Sequence, residues 1–157
     1  MNNRKNSILV VDDDRSIRTT LVAILKQDGY DVDTAENGAQ AIEKSNDKFF
    51  DLALVDVRLP DMMGTDLVNR MKERTPKMVK IIVTGYPSMQ NAISAVNEGV
   101  DGYMIKPVGA EVLLDTIKKH LQQRKEEAEY GEQKMTDFIA TRAKELATKG
   151  RKDDDAP

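Results

Sequence analysis

The sequence predicts an α/β protein built on a doubly wound, five-stranded parallel sheet with five flanking helices and a C-terminal helical extension. Three observations lead to this prediction. Short apolar runs recur along most of the 157 residues, segments with helical spacing lie between them, and polar residues follow several runs directly. A chain that alternates strand and helix in this way folds into a parallel sheet covered by helices on both faces.

The predicted strands are the short apolar runs. The first, third and fourth are rich in Val, Ile and Leu, as parallel strands buried on both faces are. The five runs are residues 8–11, 32–35, 52–55, 79–83 and 103–105. Each has the length of a strand, and the separations leave room for a helix between neighbours.

The intervening segments carry apolar residues at helical spacing, and their ends carry helix signals. Gly29 is expected to close the first helix at its C-terminus. Asn37 is expected to be the N-cap of the second, with Gln40 three residues on. Pro87 fits the first turn of the fourth helix, which Gly99 ends.

Polar residues follow the predicted strands at their carboxyl ends, which meet at one rim of a parallel sheet. These residues are Asp12, Asp13 and Asp14 after the first strand, Asp56 after the third, Thr84 after the fourth and Lys106 after the fifth. Converging carboxylates repel one another unless a cation lies among them, and Mg²⁺ prefers such oxygen ligands. With an ammonium and a hydroxyl beside them, these groups suit phosphoryl transfer to a carboxylate oxygen.

Four motifs with this spacing resemble the signatures of response-regulator receiver domains. They read ILVVDDD at residues 8–14, LVDVRLPDMMG at 54–64, VTGY at 83–86 and YMIKP at 103–107. The resemblance runs from about residue 7 to residue 121. It implies the strand order 2-1-3-4-5 and a phosphorelay signalling switch whose only catalysis is its own phosphorylation and slow dephosphorylation.

The resemblance also implies a metal site and a phospho-acceptor. Asp56 would take the phosphoryl group. Asp13 and Asp56 would bind Mg²⁺, Asp12 would bind it directly or through water, and the backbone carbonyl of Arg58 would complete the protein ligands.

Other residues would hold the phosphoryl group and report its presence. By resemblance, Thr84 and Lys106 hold its oxygens, with the backbone N–H of Gly85 nearby. Tyr103 would swing inward when Thr84 is drawn to the phosphate. Arg58 and Tyr86 lie two residues beyond Asp56 and Thr84, so their side chains should overhang the acyl phosphate and slow its hydrolysis.

Simpler interpretations compete with some of these roles. The three aspartates could be a solvated turn that opens a helix, where acids favour the positive end of the dipole, and this is the preferred interpretation of Asp14. Tyr103 could be an ordinary half-buried strand residue. A hydrolase of the haloacid-dehalogenase type uses similar groups, but its nucleophile follows the first strand. A receiver-like scaffold that is never phosphorylated is a further alternative.

Composition excludes several classes of function. The chain has no cysteine, so it forms no disulfide or thiolate site. It has no phosphate-binding glycine motif, so the phosphoryl group should come from a sensor histidine kinase, a phosphotransfer protein or a small acyl-phosphate-like donor. Net charge is −3 without a basic segment, which disfavours direct DNA binding. No apolar stretch reaches membrane-spanning length, and a cytoplasmic location is expected.

Three segments are predicted along the chain. Residues 1–121 form the receiver domain, residues 122–149 a helical extension, and residues 150–157 a disordered tail. Within the extension, Tyr130 and Gly131 should interrupt the helix and Gly150 should end it. An apolar stripe from Met135 to Leu146 should either fold back or bind a partner. A downstream partner or a homodimer is expected to use the extension together with the face of the fourth helix, fifth strand and fifth helix.

Overall fold

Strands and helices alternate along the chain as the apolar runs predict. The computed structural model describes residues 4–71, 77–85 and 87–154. The strands are β1 (Ser7–Val11), β2 (Asp31–Ala35), β3 (Leu52–Asp56), β4 (Val79–Thr84) and β5 (Gly102–Ile105). The helices are α1 (Arg15–Gln27), α2 (Gly38–Asp47), α3 (Gly64–Arg70), α4 (Met89–Asn97) and α5 (Ala110–Asp154). All strands pair in parallel in the order β2-β1-β3-β4-β5, which confirms the predicted fold class.

Helices cover both faces of this sheet, and the sheet divides the core into two clusters. One cluster, termed the α2–α3–α4 core, includes Ala41, Leu67 and Ala95. The other includes Leu25 of α1 and Ile117 of α5. Because β1, β3 and β4 are buried on both faces, they read in the sequence as continuous apolar runs.

The ends of α1 and α2 match their sequence signals. The side chain of Asp14 caps α1 by accepting the backbone N–H of Ile17 at 3.1 Å. Gly29, just past the end of α1, has a φ of 93°, a conformation that glycine adopts without strain. Asn37 caps α2 by accepting the N–H of Gln40 at 2.8 Å. The simple structural interpretation of Asp14 therefore agrees with the geometry.

Helix α4 differs in detail from its sequence pattern. Ser88 is its N-cap, so Pro87 precedes the helix and does not lie in its first turn. Ala95 is the residue of α4 that is fully buried, whereas Ile93 and Val96 are exposed. The spacing of apolar residues predicted the helix but not which of them face solvent.

Helix α5 corrects the prediction for the C-terminal extension. The chain divides into two units, Met1–Leu121 and Gln122–Pro157, and α5 is continuous from Ala110 to Asp154. The predicted interruption at Tyr130 and Gly131 is wrong, and so is the predicted helix end at Gly150. Of the tail predicted to be disordered, residues 150–154 are helical and residues 155–157 lie outside the described residues.

The physical reason is that one glycine costs a helix only about 1 kcal/mol, which cooperative propagation of a long helix outweighs. Side chains four residues apart also bridge the glycine. The ammonium of Lys134 lies 5.2 Å from the centroid of the Tyr130 ring on the other side of Gly131, and beyond the glycine Gln133 donates to Asp137 at 2.9 Å. Within the described residues, no helix combines the length and apolar character needed to cross a membrane.

Candidate functional site

Three carboxylates meet at the carboxyl rim of the sheet. Asp12 and Asp13 follow β1, and Asp56 is the last residue of the neighbouring strand β3. One oxygen from each carboxylate lies within 4.8 Å of the others. Like charges this close are unfavourable alone, and oxygen ligands of this kind suit a hard divalent cation. The donor set therefore fits Mg²⁺, as the sequence predicts.

Hydrogen bonds from three directions hold Asp12 in place. Its backbone N–H donates to the carbonyl of Ala35 at 3.1 Å, which ties the β1–α1 connection to the end of β2. Its carboxylate accepts the N–H of Asp14 at 2.9 Å. The guanidinium of Arg18 donates to its carbonyl at 2.8 Å and to the carboxylate of Glu36 at 3.4 Å. Asp12 is consequently a fixed, almost fully buried member of the cluster.

Lys106 supplies the positive charge nearest to these acids. Its ammonium lies 2.7 Å from an oxygen of Asp12 and 3.4 Å from an oxygen of Asp56. Its backbone N–H donates to the carbonyl of Thr84 at 2.8 Å, so β4 and β5 place the two residues side by side. The predicted lysine therefore lies beside the predicted acceptor.

The environment shifts the pKa of both partners. Burial raises the pKa of the Asp56 carboxyl and the charge of Asp12 raises it further, although Lys106 opposes both effects. Burial alone would lower the pKa of the Lys106 ammonium, but hydrogen bonds and charges from Asp12 and Asp56 outweigh it, and the pKa rises. Lys106 thus stays protonated at neutral pH, while Asp56 is a more basic carboxylate than one in water.

The connection between β3 and α3 passes close to Asp56. The N–H of Gly64 donates to the carbonyl of Val57 at 2.8 Å, and a Cβ on Gly64 would overlap the carbonyl oxygen of Asp56. Glycine is therefore the residue that fits there. The N–H of Arg58 lies 3.5 Å from the Asp56 carboxylate, a long hydrogen bond. The role of the Arg58 carbonyl as a metal ligand remains a prediction.

The predicted switch residues lie on neighbouring strands. Thr84 ends β4 and is fully buried, and Gly85 follows it at the exposed rim. The ring of Tyr103 on β5 is half-buried against the α2–α3–α4 core. Its hydroxyl is buried, and no hydrogen-bond partner for it exists among the described residues. The tyrosine therefore already lies inward, and its movement remains a prediction.

The two residues predicted to tune the lifetime of an acyl phosphate are Arg58 and Tyr86. The side chain of Arg58 is exposed near the rim. Tyr86 lies outside the described residues. Their effect on hydrolysis remains a prediction.

Some residues that shape the site carried no separate role in the sequence analysis. Arg18 follows the inward-facing Ile17 on α1, so the sequence could have indicated that Arg18 lies near the core. It could not have indicated the hydrogen bond from Arg18 to the Asp12 carbonyl. Gly64 belongs to a recognised motif, but its close approach to Asp56 is visible only in three dimensions. Asp61 lies in the same motif and contacts α2, which is distant in sequence.

A depression of about 410 Å³ adjoins the site between α1 and the residues that follow β5. Its walls are mainly apolar, and Lys106 connects it to the acidic cluster. The lining residues are Ser16, Ile17, Thr20, Leu21, Val83, Lys106, Pro107 and Val108.

Comparison with known proteins gives a family match over most of the chain. The family model described as the response regulator receiver domain matches residues 8–118. The transcriptional regulatory protein ZraR of Klebsiella oxytoca is 40% identical over 121 residues, which are 77% of this chain and 27% of that protein. The chain therefore spans about a quarter of the length of the curated relatives it matches.

Solved structures agree with this match. A receiver domain protein (CheY-like) from Methanospirillum hungatei is 41% identical with a TM-score of 0.76, and the alignment covers 79% of this chain and 99% of that one. A response regulator protein from Burkholderia pseudomallei is 28% identical with a TM-score of 0.69, covering 79% and 73%. The latter structure contains a phosphorylated aspartic acid and a calcium ion.

Proposed function

The chain belongs to the response regulator receiver domain family, and on that premise we propose that Asp56 accepts a phosphoryl group and thereby switches protein contacts. The observation that carries the proposal is the cluster of Asp12, Asp13 and Asp56 with the Lys106 ammonium 3.4 Å from the acceptor. The donor would be a histidine kinase or a phosphotransfer protein. The phosphorylated aspartic acid in the Burkholderia pseudomallei relative supports an aspartate as acceptor.

The chemistry follows from the groups at the rim. An oxygen of Asp56 attacks phosphorus, a new O–P bond forms, and the bond to the donor nitrogen breaks with its electron pair returning to the imidazole. The Lys106 ammonium and the hydroxyl of Thr84 would hold the phosphoryl oxygens, together with the N–H of Gly85. Bound Mg²⁺, held by Asp12, Asp13, Asp56 and the Arg58 carbonyl, would neutralise the charge of the transferred group.

The change in contacts would be expressed on the face formed by α4, β5 and the first turns of α5. This face carries exposed apolar residues, which soluble monomers seldom group without a use. They are Met89, Ile93, Val96, Ile105 and Val112. Thr84 ends β4, the strand between that of the acceptor and β5, and Tyr103 lies on β5 itself. A shift of Thr84 toward a phosphate can therefore bias the conformation of this face.

The extension would contribute to output through a protein contact. Its apolar residues are exposed, and a single helix cannot bury its own stripe. They are Tyr130, Met135, Phe138, Ile139 and Leu146. A downstream protein or a second copy of the chain could cover them. The relatives named as transcriptional regulators are much longer, and the expectation that this chain does not itself contact DNA stays a prediction.

Incubation with Mg²⁺ and a small acyl phosphate tests the proposal against its two rivals. We expect wild type to gain one acid-labile phosphate and Asp56→Asn to gain none. Asp14→Asn is the matched control, because it makes the same charge change outside the cluster and asparagine also caps helices. Sustained release of phosphate with turnover would favour the haloacid-dehalogenase-type hydrolase. No uptake at all by wild type would favour the scaffold.

A further inference from the structure

The β3–α3 connection, residues 57–63, is tied to the start of α2. One carboxylate oxygen of Asp61 accepts the N–H of Gly38 at 2.8 Å, and the other accepts the N–H of Ala39 at 2.9 Å. Both bonds are to a charged acceptor, which makes them stronger than bonds between neutral groups. They also lower the pKa of the Asp61 carboxyl, so it is ionised at neutral pH.

Packing reinforces this tie. The side chain of Met62 lies against Gly38, so closely that a Cβ on Gly38 would overlap the methionine. Within the connection, the N–H of Leu59 donates to the carbonyl of Met62 at 3.1 Å, and a bridge pairs Arg58 with Met63. The connection that carries Asp61 is therefore closed on itself by these contacts.

Helix α2 does not depend on Asp61 for its own N-cap. Asn37 already supplies that cap through its bond to Gln40 at 2.8 Å. The bonds from Gly38 and Ala39 to Asp61 are additional, and they reach a carboxylate 22 to 23 positions away in sequence. Their distinctive effect is to fix the β3–α3 connection.

Residues 35–39, which include the two residues bonded to Asp61, also contact the part of the acidic cluster that follows β1. The carbonyl of Ala35 accepts the N–H of Asp12 at 3.1 Å. The carboxylate of Glu36 accepts from Arg18, whose guanidinium also donates to the Asp12 carbonyl. Residues 35–39, the β2–α2 segment, thus contact the connection that carries Asp12 and Asp13 and also the connection that follows Asp56.

We propose that Asp61 is a positioning residue for the cation site, holding the β3–α3 connection on the β2–α2 segment. Its two hydrogen bonds keep Asp56 and the backbone of Arg58 at a fixed separation from Asp12. This inference rests on the proposed function, because it concerns the Mg²⁺ site assigned there. Asp61 is not one of the three clustered carboxylates.

The test is the Mg²⁺ dissociation constant of the full chain, measured by isothermal titration calorimetry beside the melting temperature. Asp61→Ala should raise the dissociation constant by about tenfold, the low end of the effect of groups that orient metal ligands. Asp61→Asn keeps one acceptor oxygen and should give a smaller rise. Asn37→Ala is the matched control, because it removes one hydrogen bond from the same helix terminus and none from the β3–α3 connection.

The expected result is that Asn37→Ala lowers the melting temperature without weakening Mg²⁺ binding, whereas the Asp61 variants weaken binding. Equal dissociation constants for Asp61→Ala and Asn37→Ala would overturn the inference, since Asp61 would then only stabilise α2. If Asp61→Ala fails to fold, Asp61→Asn decides in the same way. The variant Asp13→Ala distinguishes failure of this inference from failure of the proposed cation site. Unchanged Mg²⁺ binding by that variant would refute the cation site, and the inference with it.

Discussion

Asp56→Asn is expected to stabilise the fold when no divalent cation is bound. The substitution keeps the shape of the side chain and removes one of three negative charges whose oxygens lie within 4.8 Å of one another. Burial and Asp12 raise the pKa of Asp56, which means that the folded protein favours the neutral form of this group. A neutral amide should therefore be better tolerated than the carboxylate.

The size of the effect follows from the distances. Each repulsion, from Asp12 and from Asp13, is worth about 3.5 kcal/mol at 4.8 Å and an effective dielectric constant of about 20. The attraction to Lys106 at 3.4 Å, lost in the variant, is worth about 5 kcal/mol on the same scale. Screening of the exposed Asp13 reduces its repulsion to about 1 kcal/mol, so the charge pairs nearly cancel. Burial of the Asp56 charge, the largest cause of its raised pKa, then favours the variant by about 1 kcal/mol. For a chain of this length that is about 3 °C in melting temperature.

Thermal unfolding followed by circular dichroism, with chelator and with Mg²⁺, measures this effect. Mg²⁺ should stabilise wild type more than the variant, because binding to the folded state alone adds stability. The difference without Mg²⁺ should shrink as the pH falls through the raised pKa of Asp56, since the cost of its charge exists only above that pKa. A lower melting temperature for Asp56→Asn, or an equal gain for Asp14→Asn, would refute the reasoning.

Three further predictions concern signalling. Lys106→Ala should still accept phosphate but switch its contacts poorly, because the ammonium no longer holds the phosphoryl oxygens; equal partner binding by phosphorylated wild type and variant would contradict this. Arg58→Ala and Tyr86→Ala should each speed the decay of labelled phosphate, since less bulk would hinder water, and an unchanged decay would count against both. Deleting residues 130–157 should leave uptake nearly unchanged but alter association measured by light scattering; lost uptake, or equal association in all samples, would disprove this division of roles.

The sheet and the position of the site could be predicted because both depend on local sequence. Strands buried on two faces must be apolar throughout, as 52–55 and 79–83 are, and a polar residue directly after such a run must lie at the carboxyl rim. Asp56 and Thr84 were located by this rule alone. The resemblance then supplied their roles, which the fold accommodates.

The features that escaped prediction depend on contacts between distant residues or on small energy balances. The hydrogen bonds from Gly38 and Ala39 to Asp61 join separate elements and leave no periodic signal. The continuity of α5 through Gly131 depends on a penalty of about 1 kcal/mol against the cooperativity of a long helix. Which residues of α4 are buried depends on how that helix lies on the sheet, and this is not encoded in its spacing alone.

The ion pair between Lys106 and Asp12 has a consequence for the order of events at the rim. The ammonium, 2.7 Å from Asp12 and 3.4 Å from Asp56, is an internal counter-ion with which a divalent cation would compete for the acids. Because binding of the cation would weaken this ion pair, the net free energy of metal binding would be smaller. We therefore expect metal binding to be weak and readily reversible. Once displaced, the same ammonium is free to face an incoming phosphoryl group. Phosphorylation by the donor would then require that the metal is bound. The concentration of Mg²⁺ in the cell would affect phosphorylation in addition to the donor.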